Sequence, residues 1–218
     1  MRKRTRAMEI DCNTMTGDVV DSIRTRQRLN ATQITDVLHL FVSHNTFGLA
    51  LVDPALVTLY MREEVAGKQS AIMARYFRGD KQQPVTLIPV HHNDHWSLLI
   101  YVARYTTFYY LDSLSEFHRE YVVKLMRKMM TDGVIANIDS TRVTTITSEC
   151  QENSYECGQY LFMFVYAFIV QYKQAQQQQD VQRFADQLQV YVAESCRESY
   201  RQKFIRLIIA WIHDSRGY

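Results

Sequence analysis

Cysteine is scarce in this sequence, and the cysteines that are present form no recognisable pairing motif. There are four among 218 residues, Cys12, Cys150, Cys157 and Cys196, and none belongs to a Cys-x-x-Cys pair. A disulfide framework is therefore not expected in a chain of this length. The same scarcity indicates a reducing compartment, in which the thiols are available for chemistry.

The sequence also lacks an excess of charge and a long apolar run. Lys and Arg number 25 against 23 Asp and Glu, so no broad basic field is available for nucleic acid. The basic residues 2–6 are not followed by an apolar run of signal-peptide length, and the apolar run at 160–170 is too short to cross a bilayer. We therefore expect that the chain binds neither nucleic acid nor membrane. We also expect a monomer that acts in the cytoplasm, the nucleus or both.

Several enzyme signatures are missing as well. The chain contains no Gly-x-Ser-x-Gly elbow, no phosphate-binding loop and no His-Glu-x-x-His helix. His91, His92 and His95 could suggest zinc, but they lie in one short stretch without a matching cluster of cysteines or carboxylates. No metal and no cofactor is predicted.

Hydrophobic periodicity divides the chain into three regions. Helical spacing predicts helices near 29–41, 54–64 and 70–76. Short runs rich in β-branched and aromatic residues predict strands at 85–90, 96–102 and 107–111. A helix at 117–130, a strand at 142–147 and helices at 160–170, 181–193 and 200–212 complete the pattern. This order indicates one α+β domain spanning residues 1–218, with about residues 1–20 as a flexible tail.

A histidine and an aspartate are expected to meet at one end of the predicted hairpin. If the second and third strands turn near Ala103 and Arg104, facing residues have indices that sum to a constant, and His95 pairs with Asp112. The carboxylate can then accept from the imidazole N–H and hold the tautomer that a general base needs.

Cys157 lies just before the apolar run that predicts a buried helix. A thiol in the first helical turn meets unpaired backbone N–H groups and the positive end of the helix dipole, which favour the thiolate. Ser154 is placed to cap this helix, and Gly158 leaves room for a substrate backbone. Gln151 could donate an amide N–H to the oxyanion of an acyl intermediate. Taken singly, each residue has a plainer reading, since a cysteine at a helix edge or a histidine before a strand usually only packs or faces solvent.

Two blocks of sequence together resemble a known protease signature. The first is His95-Trp96-Ser97-Leu98-Leu99, followed by Asp112-Ser113 seventeen residues after the histidine; the second runs from Gln151 to Gly158. The order His, Asp, Gln, Cys is similar to that of the SUMO- and Nedd-modifier-specific cysteine proteases, the ubiquitin-like protease family of the papain-like superfamily. The match is closest to the deneddylase branch, in the His-Trp-Ser-Leu-Leu run and in Asn153-Ser-Tyr.

This resemblance implies a papain-like α+β fold with a central mixed sheet packed by helices. It implies a thiol hydrolase that cleaves after the C-terminal Gly-Gly of a ubiquitin-like modifier, most simply of the Nedd type, alternatively of SUMO or ubiquitin, in precursors or conjugates. Cys157 would be the nucleophile, with His95, Asp112 and Gln151 as base, orienter and oxyanion donor. Trp96 would form one wall of a diglycine tunnel, although ordinary core packing explains it too. Asn153 and Gly158 would contact the substrate.

The chain departs from the family pattern before its first long helix. Family members carry Trp-Leu-Asn-Asp there, with the tryptophan as the opposite tunnel wall, and this sequence has Arg28-Leu29-Asn30-Ala31. Arg28 could replace the indole by stacking its flat guanidinium over the tail. Two further interpretations stay open: a related acetyltransferase, which would need an acyl-CoA site, and a degenerate member that binds a modifier without cutting it.

Overall fold

The computed structural model describes residues 19–43, 47–77, 83–135, 143–147, 151–175 and 180–214. The helices are α1 (19–24), α2 (Ala31–Ser43), α3 (Pro54–Arg62), α4 (Lys68–Ala74), α5 (Arg119–Thr131), α6 (Cys157–Gln174), α7 (Val181–Ser195) and α8 (Glu198–Asp214). The strands are β1 (Leu49–Leu51), β2 (Val85–His92), β3 (His95–Val102), β4 (Thr107–Asp112) and β5 (Val143–Thr147). The predicted α+β class is confirmed. Each element predicted from periodicity is present, with ends that differ by a few residues.

The described strands form one mixed sheet in the order β1-β2-β3-β4-β5. The central strands β2, β3 and β4 are antiparallel, whereas the edge strands β1 and β5 pair in parallel with their neighbours. Strand β1 was not predicted, because three residues are too few to show an alternating pattern. Because β3 and β4 are antiparallel, the start of β3 and the end of β4 lie at the same end of the strands.

The β2–β3 connection is a two-residue hairpin. Asn93 and Asp94 both adopt positive φ, 46° and 57°, and His92 pairs directly with His95. Positive φ at both central residues belongs to a type I′ turn, which Asn and Asp tolerate and which matches the twist of paired strands. The strands β2 and β3 therefore extend into the gap between the predicted strands 85–90 and 96–102, and His95 follows the turn immediately.

The predicted register of β3 against β4 is wrong by two residues. Asp112 pairs with Ser97, not with His95. The connection is a 3₁₀ turn at Ala103–Tyr105 followed by Thr106 in the left-handed conformation, so it is centred one residue later than the sequence suggested. His95 nevertheless lies on the same face of the sheet as Ser97, two residues along, where a diagonal partner is still within reach of a ring.

Two apolar cores sandwich the sheet. Trp96, Leu98 and Ile100 of β3 point into the core that contains α2, α6 and α7. Leu99 of β3 and Tyr110 of β4 point into the other core, with α3, α4 and α5. Alternate residues of a strand face opposite sides, so α6 with Cys157 and the face that bears Asp112 belong to different layers. The Cys157 end of α6 and the face that bears Asp112 can meet only beyond the strand ends, where β3 starts and β4 finishes.

The predicted flexible tail is only partly described. Residues 1–18 lie outside the described residues, whereas Val19 and Val20, at its end, are fully buried in the core.

The cysteines differ in their state. Cys157 is free, but Cys196 is disulfide-bonded, so the expectation of reduced thiols fails at Cys196. Cys12 and Cys150 lie outside the described residues, as do 176–179 of the glutamine tract. None of the helices described is long and apolar enough to cross a membrane.

Candidate active site

The predicted pair of His95 and Asp112 is present and buried. His95 Nε2 donates to Asp112 Oδ1 at 2.7 Å, and the two residues are 4% and 0% exposed. This geometry leaves Nδ1 as the ring nitrogen for Cys157, whose thiol lies close enough to help raise the pKa of His95. Cys157 is 1% exposed. The structure therefore confirms the predicted contact between His95 and Asp112, and buries Cys157, the predicted nucleophile, near His95.

The carboxylate of Asp112 is held by four donors. Besides His95, the Leu114 N–H donates to Oδ1 at 2.9 Å, while the Tyr110 hydroxyl and the His118 N–H donate to Oδ2 at 2.6 and 3.1 Å. Burial opposes ionisation of Asp112, but these hydrogen bonds outweigh it and lower the pKa of the carboxyl. Asp112 is consequently an anion fixed on both oxygens, able to orient His95 and stabilise its cation.

The electrostatics of His95 favour the imidazolium. Burial lowers the pKa of a histidine, but the hydrogen bonds and charges of Asp112 and Cys157 act in the opposite direction and raise the pKa of His95 to about 9. The ring therefore stays protonated at neutral pH. A cation in this position stabilises a neighbouring thiolate and is ready to give a proton to a leaving group.

A second buried histidine, His118, supports the site and was not predicted. Its Nε2–H donates to the His92 carbonyl at 2.7 Å, and its Nδ1 accepts from the Ser97 hydroxyl at 2.9 Å. Burial, together with the neighbouring His95, lowers the pKa of His118 to about 4, so the ring is neutral. The carbonyl fixes the tautomer, and the neutral ring adds no second positive charge beside His95.

These contacts also bear on metal binding. His95, Asp112 and His118 place ligand atoms within 4.8 Å of one another. Both ring nitrogens of His118 are committed to hydrogen bonds, however, which is the pattern of a hydrogen-bond network. The other two histidines considered for zinc contact aromatic rings: the His91 ring packs at a tilt against Trp96 with centroids 4.4 Å apart, and the His92 ring stacks on Tyr121 with centroids 4.2 Å apart.

The turn before α6 is built differently from the prediction. Residue Glu156 is the N-cap of the helix and makes no side-chain cap, so the predicted cap by Ser154 is wrong. Asn153 organises the turn instead, because its Oδ1 accepts from the N–H groups of Tyr155 and Glu156 at 3.1 and 3.0 Å. Its Nδ2 donates to the Glu156 carboxylate at 2.6 Å. The side chain predicted to bind substrate is thus occupied in positioning Cys157.

Gln151 lies against the end of β4. Its backbone N–H donates to the Ser113 carbonyl at 3.1 Å, and its Oε1 accepts from the Ser113 hydroxyl at 2.7 Å. Its Nε2 also donates to the Asn153 carbonyl. An amide nitrogen carries two hydrogens, so the second remains able to donate to an oxyanion. The residue after Asp112 and the turn before Cys157 thus hold Gln151 between them.

The predicted substrate-binding residues have structural contacts. Trp96 is only 2% exposed, and its indole N–H donates to the Leu29 carbonyl at 2.9 Å, so it packs in the core; its tunnel-wall role stays a prediction. A Cβ on Gly158 would lie 2.9 Å from Ile34 Cδ1 and 3.0 Å from Leu29 Cδ1. The absent side chain is therefore explained by close packing of α6 on the segment around Leu29, rather than by access for a substrate.

Arg28 connects three segments around the site. Its Nε donates to the Ser154 carbonyl at 2.8 Å, in the turn before Cys157. Its guanidinium also forms an ion pair with Asp94 at 3.4 Å, in the turn before His95. The side chain is 48% exposed, so it is placed at the surface of the site, as the sequence suggested, but already engaged with protein partners.

Comparison with known proteins agrees with this geometry. A family model described as the Ulp1 protease family, C-terminal catalytic domain, matches residues 78–200. That range contains His95, Asp112, Gln151 and Cys157. No curated protein matches the chain.

Solved structures share the fold. The crystal structure of a de-sumoylating protease has a TM-score of 0.60 at 12% identity, covering 92% of this chain and 87% of its own. The SUMO protease Ulp1 with its catalytic cysteine oxidised to a sulfinic acid has a TM-score of 0.56 at 17% identity, covering 90% and 98%. The Ulp1 protease domain in complex with Smt3, the yeast ortholog of SUMO, has a TM-score of 0.51 at 16% identity, covering 90% and 97%. The predicted papain-like fold is therefore confirmed, and the chain belongs to the Ulp1 protease family of cysteine proteases.

Proposed function

We propose that this protein is an isopeptidase that hydrolyses the bond after the C-terminal Gly-Gly of a ubiquitin-like modifier, with a Nedd-type modifier as its preferred substrate. The observation that carries the proposal is the buried hydrogen bond between His95 and Asp112, with Cys157 near enough to His95 to raise its pKa and Gln151 held by Ser113, the residue after Asp112. A protein that only binds a modifier has no use for an imidazolium held between a thiol and a carboxylate. We expect the enzyme to act in the cytoplasm or nucleus.

The chemistry follows from the roles these groups can fill. The thiolate of Cys157 attacks the carbonyl carbon of the last glycine, and the developing oxyanion accepts from Gln151. His95 then gives its proton to the leaving lysine amine, which departs and leaves a thioester. Water, deprotonated by the now neutral His95, hydrolyses the thioester and restores the thiolate and the imidazolium.

Two modifiers compete as the preferred substrate. The resemblance to deneddylases favours a Nedd-type modifier, and it lies in the run from His95 to Leu99 and in Asn153-Ser-Tyr. The structural neighbour in complex with Smt3 makes a SUMO-type modifier the second candidate. The test is to incubate the protein with precursors of Nedd-type, SUMO-type and ubiquitin modifiers and to measure cleavage after Gly-Gly. Fastest cleavage of the Nedd-type precursor is expected; faster cleavage of another would reassign the specificity, and no cleavage of any would contradict the proposed function.

The pH dependence of hydrolysis should report the pKa of His95. Since this pKa is raised to about 9, the imidazolium is fully present at neutral pH and is lost as the pH rises through about 9. We expect kcat/KM to fall on the alkaline side near that value. In Asp112→Asn the alkaline limb should move toward the ordinary histidine value of 6.5, because a contact that raises the pKa is lost. An alkaline limb that does not move would show that Asp112 does not control His95.

Loss of the Gln151 amide should act on the chemical step. Replacing Gln151 with alanine is expected to lower kcat by about a hundredfold or more, the usual effect of removing one oxyanion donor. Ser113→Ala is the matched comparison, because it removes the hydroxyl that holds the Gln151 Oε1 while leaving the amide in place. Its effect should be smaller. Unchanged kcat with a raised KM in Gln151→Ala would make this residue a binding residue instead.

A further inference from the structure

Two apolar side chains are exposed beside the catalytic pair, on the segment between β4 and α5. Leu114 is 38% exposed, and its N–H donates to Asp112 Oδ1. Phe117 is 54% exposed, and its ring makes a T-shaped contact with the His95 ring, with centroids 5.4 Å apart and planes at 82°. The exposed ring of Phe117 is therefore in contact with His95, and exposed Leu114 belongs to the same segment, which is hydrogen-bonded to Asp112.

This exposure is local and held in place. Six large apolar side chains among the described residues are exposed, and two of them belong to this one short segment; the six are Leu59, Val65, Leu114, Phe117, Val190 and Leu207. His118 follows Phe117 directly, is 1% exposed, and donates its N–H to Asp112 and to the Tyr110 hydroxyl. Phe117 is thus presented outward from a segment anchored on both sides. Exposed apolar side chains on such a fixed segment offer a surface to the apolar part of a ligand.

The reaction itself dictates what approaches this surface. His95 must bring its proton to the leaving nitrogen, so whatever is attached to that nitrogen passes the groups that border the imidazole. His95 itself is only 4% exposed. Phe117, which contacts the imidazole and is 54% exposed, offers the surface beside it that an incoming group can touch. In an isopeptide the leaving nitrogen carries the apolar methylene stem of a lysine, which packs well along an aromatic face.

We propose that Phe117, assisted by Leu114, forms a subsite for the aliphatic stem of the acceptor lysine. This inference rests on the proposed isopeptidase function and adds the leaving-group side of the specificity. In this proposal the segment between β4 and α5 recognises the lysine side of a conjugate, and other residues recognise the tail of the modifier.

A different role for Phe117 gives a different pattern of effects. If its ring only shields the hydrogen bond between His95 and Asp112 from water, its loss should affect every substrate alike. Loss of shielding would also change the pKa of His95 and shift the alkaline limb of the pH profile. A subsite for the lysine stem should affect only substrates that have the stem.

The test uses two amides of one modifier. In the first, the C-terminal glycine is joined to Nε of a lysine in a short peptide; in the second, it is joined to methylamine. For Phe117→Ala we expect kcat/KM on the lysine substrate to fall by about tenfold, and on the methylamide by less than about twofold, the scale of a few lost apolar contacts. Phe117→Leu should recover part of the loss. Leu207→Ala on α8, which removes a side chain that is 51% exposed, is the matched control and should leave both substrates unaffected.

The outcomes separate this subsite from the function on which it rests. An equal fall on both amides, with a shifted alkaline limb, would overturn the subsite and make Phe117 a positioning residue for His95. Equal rates for wild type and Phe117→Ala on the lysine substrate would overturn it as well. Failure of the wild type to cleave either amide would instead contradict the proposed function, and the subsite with it.

Discussion

Replacing Cys157 with alanine is expected to abolish hydrolysis while leaving the protein folded. No other described side chain offers a free thiol beside His95, so the acyl-enzyme cannot form, and turnover should fall by roughly four orders of magnitude or more. Cys157 is the first residue of α6, where alanine is a good helix former, and the change in the free energy of unfolding should be about 1 kcal/mol. Hydrolysis is measured with the preferred precursor, and stability by thermal unfolding.

Cys157→Ser is the control for this result. It keeps a side chain of similar size in the same buried place but supplies a hydroxyl, which does not ionise beside His95 as a thiol does. It should be nearly as inactive as Cys157→Ala and similarly stable. Substantial turnover in either variant, with the fold intact, would mean that another group is the nucleophile.

Replacing His95 with alanine should reduce turnover almost as much as loss of the thiol. The substitution removes both the cation that favours the thiolate and the acid that protonates the leaving amine. Asp112→Asn should reduce turnover less, because Asp112 acts only through His95. Single-turnover rates of all three variants on one precursor give the comparison.

The structure adds a stability effect that separates these two variants. In Asp112→Asn, an NH₂ group must face donors that now reach the carboxylate, among them the His118 N–H. Each buried donor left without an acceptor costs roughly 1–3 kcal/mol. Asp112→Asn should therefore be the less stable variant and the more active one. If Asp112→Asn were less active than His95→Ala, the assignment of His95 as base and Asp112 as orienter would be contradicted.

Most of the helices and strands could be predicted because their apolar residues repeat with clear periods, whereas α1 and β1 are too short to show one. The register between β3 and β4 could not, since it depends on a 3₁₀ turn that the sequence around Ala103 and Thr106 does not announce. The side-chain contact between His95 and Asp112 was nevertheless predicted correctly. An imidazole two residues from the facing position still reaches the carboxylate, so the contact survives the error in register. A wrong register thus led to a correct contact.

The groups that support the site were beyond sequence reasoning. Tyr110 carries a weak signal, since it lies two residues before Asp112 and so on the same face of β4. His118 carries none, because its contacts to Ser97 and to the His92 carbonyl arise only when the segment after β4 folds back over the hairpin. Similarly, Gly158 suggested an open substrate path, whereas packing of Leu29 and Ile34 against α6 explains it. Such contacts between distant segments leave no local pattern.

The most direct test of the account is to identify the residue that reacts with the end of a modifier. The protein is exposed to Nedd-type, SUMO-type and ubiquitin modifiers that carry a C-terminal electrophile, and the adduct is located by peptide mapping. We predict a single adduct on Cys157, fastest with the Nedd-type probe and strongly slowed in His95→Ala. An adduct on Cys12, Cys150 or Cys196, or no adduct with any of the three modifiers, would contradict the assignment of Cys157 as the nucleophile of a modifier-specific protease.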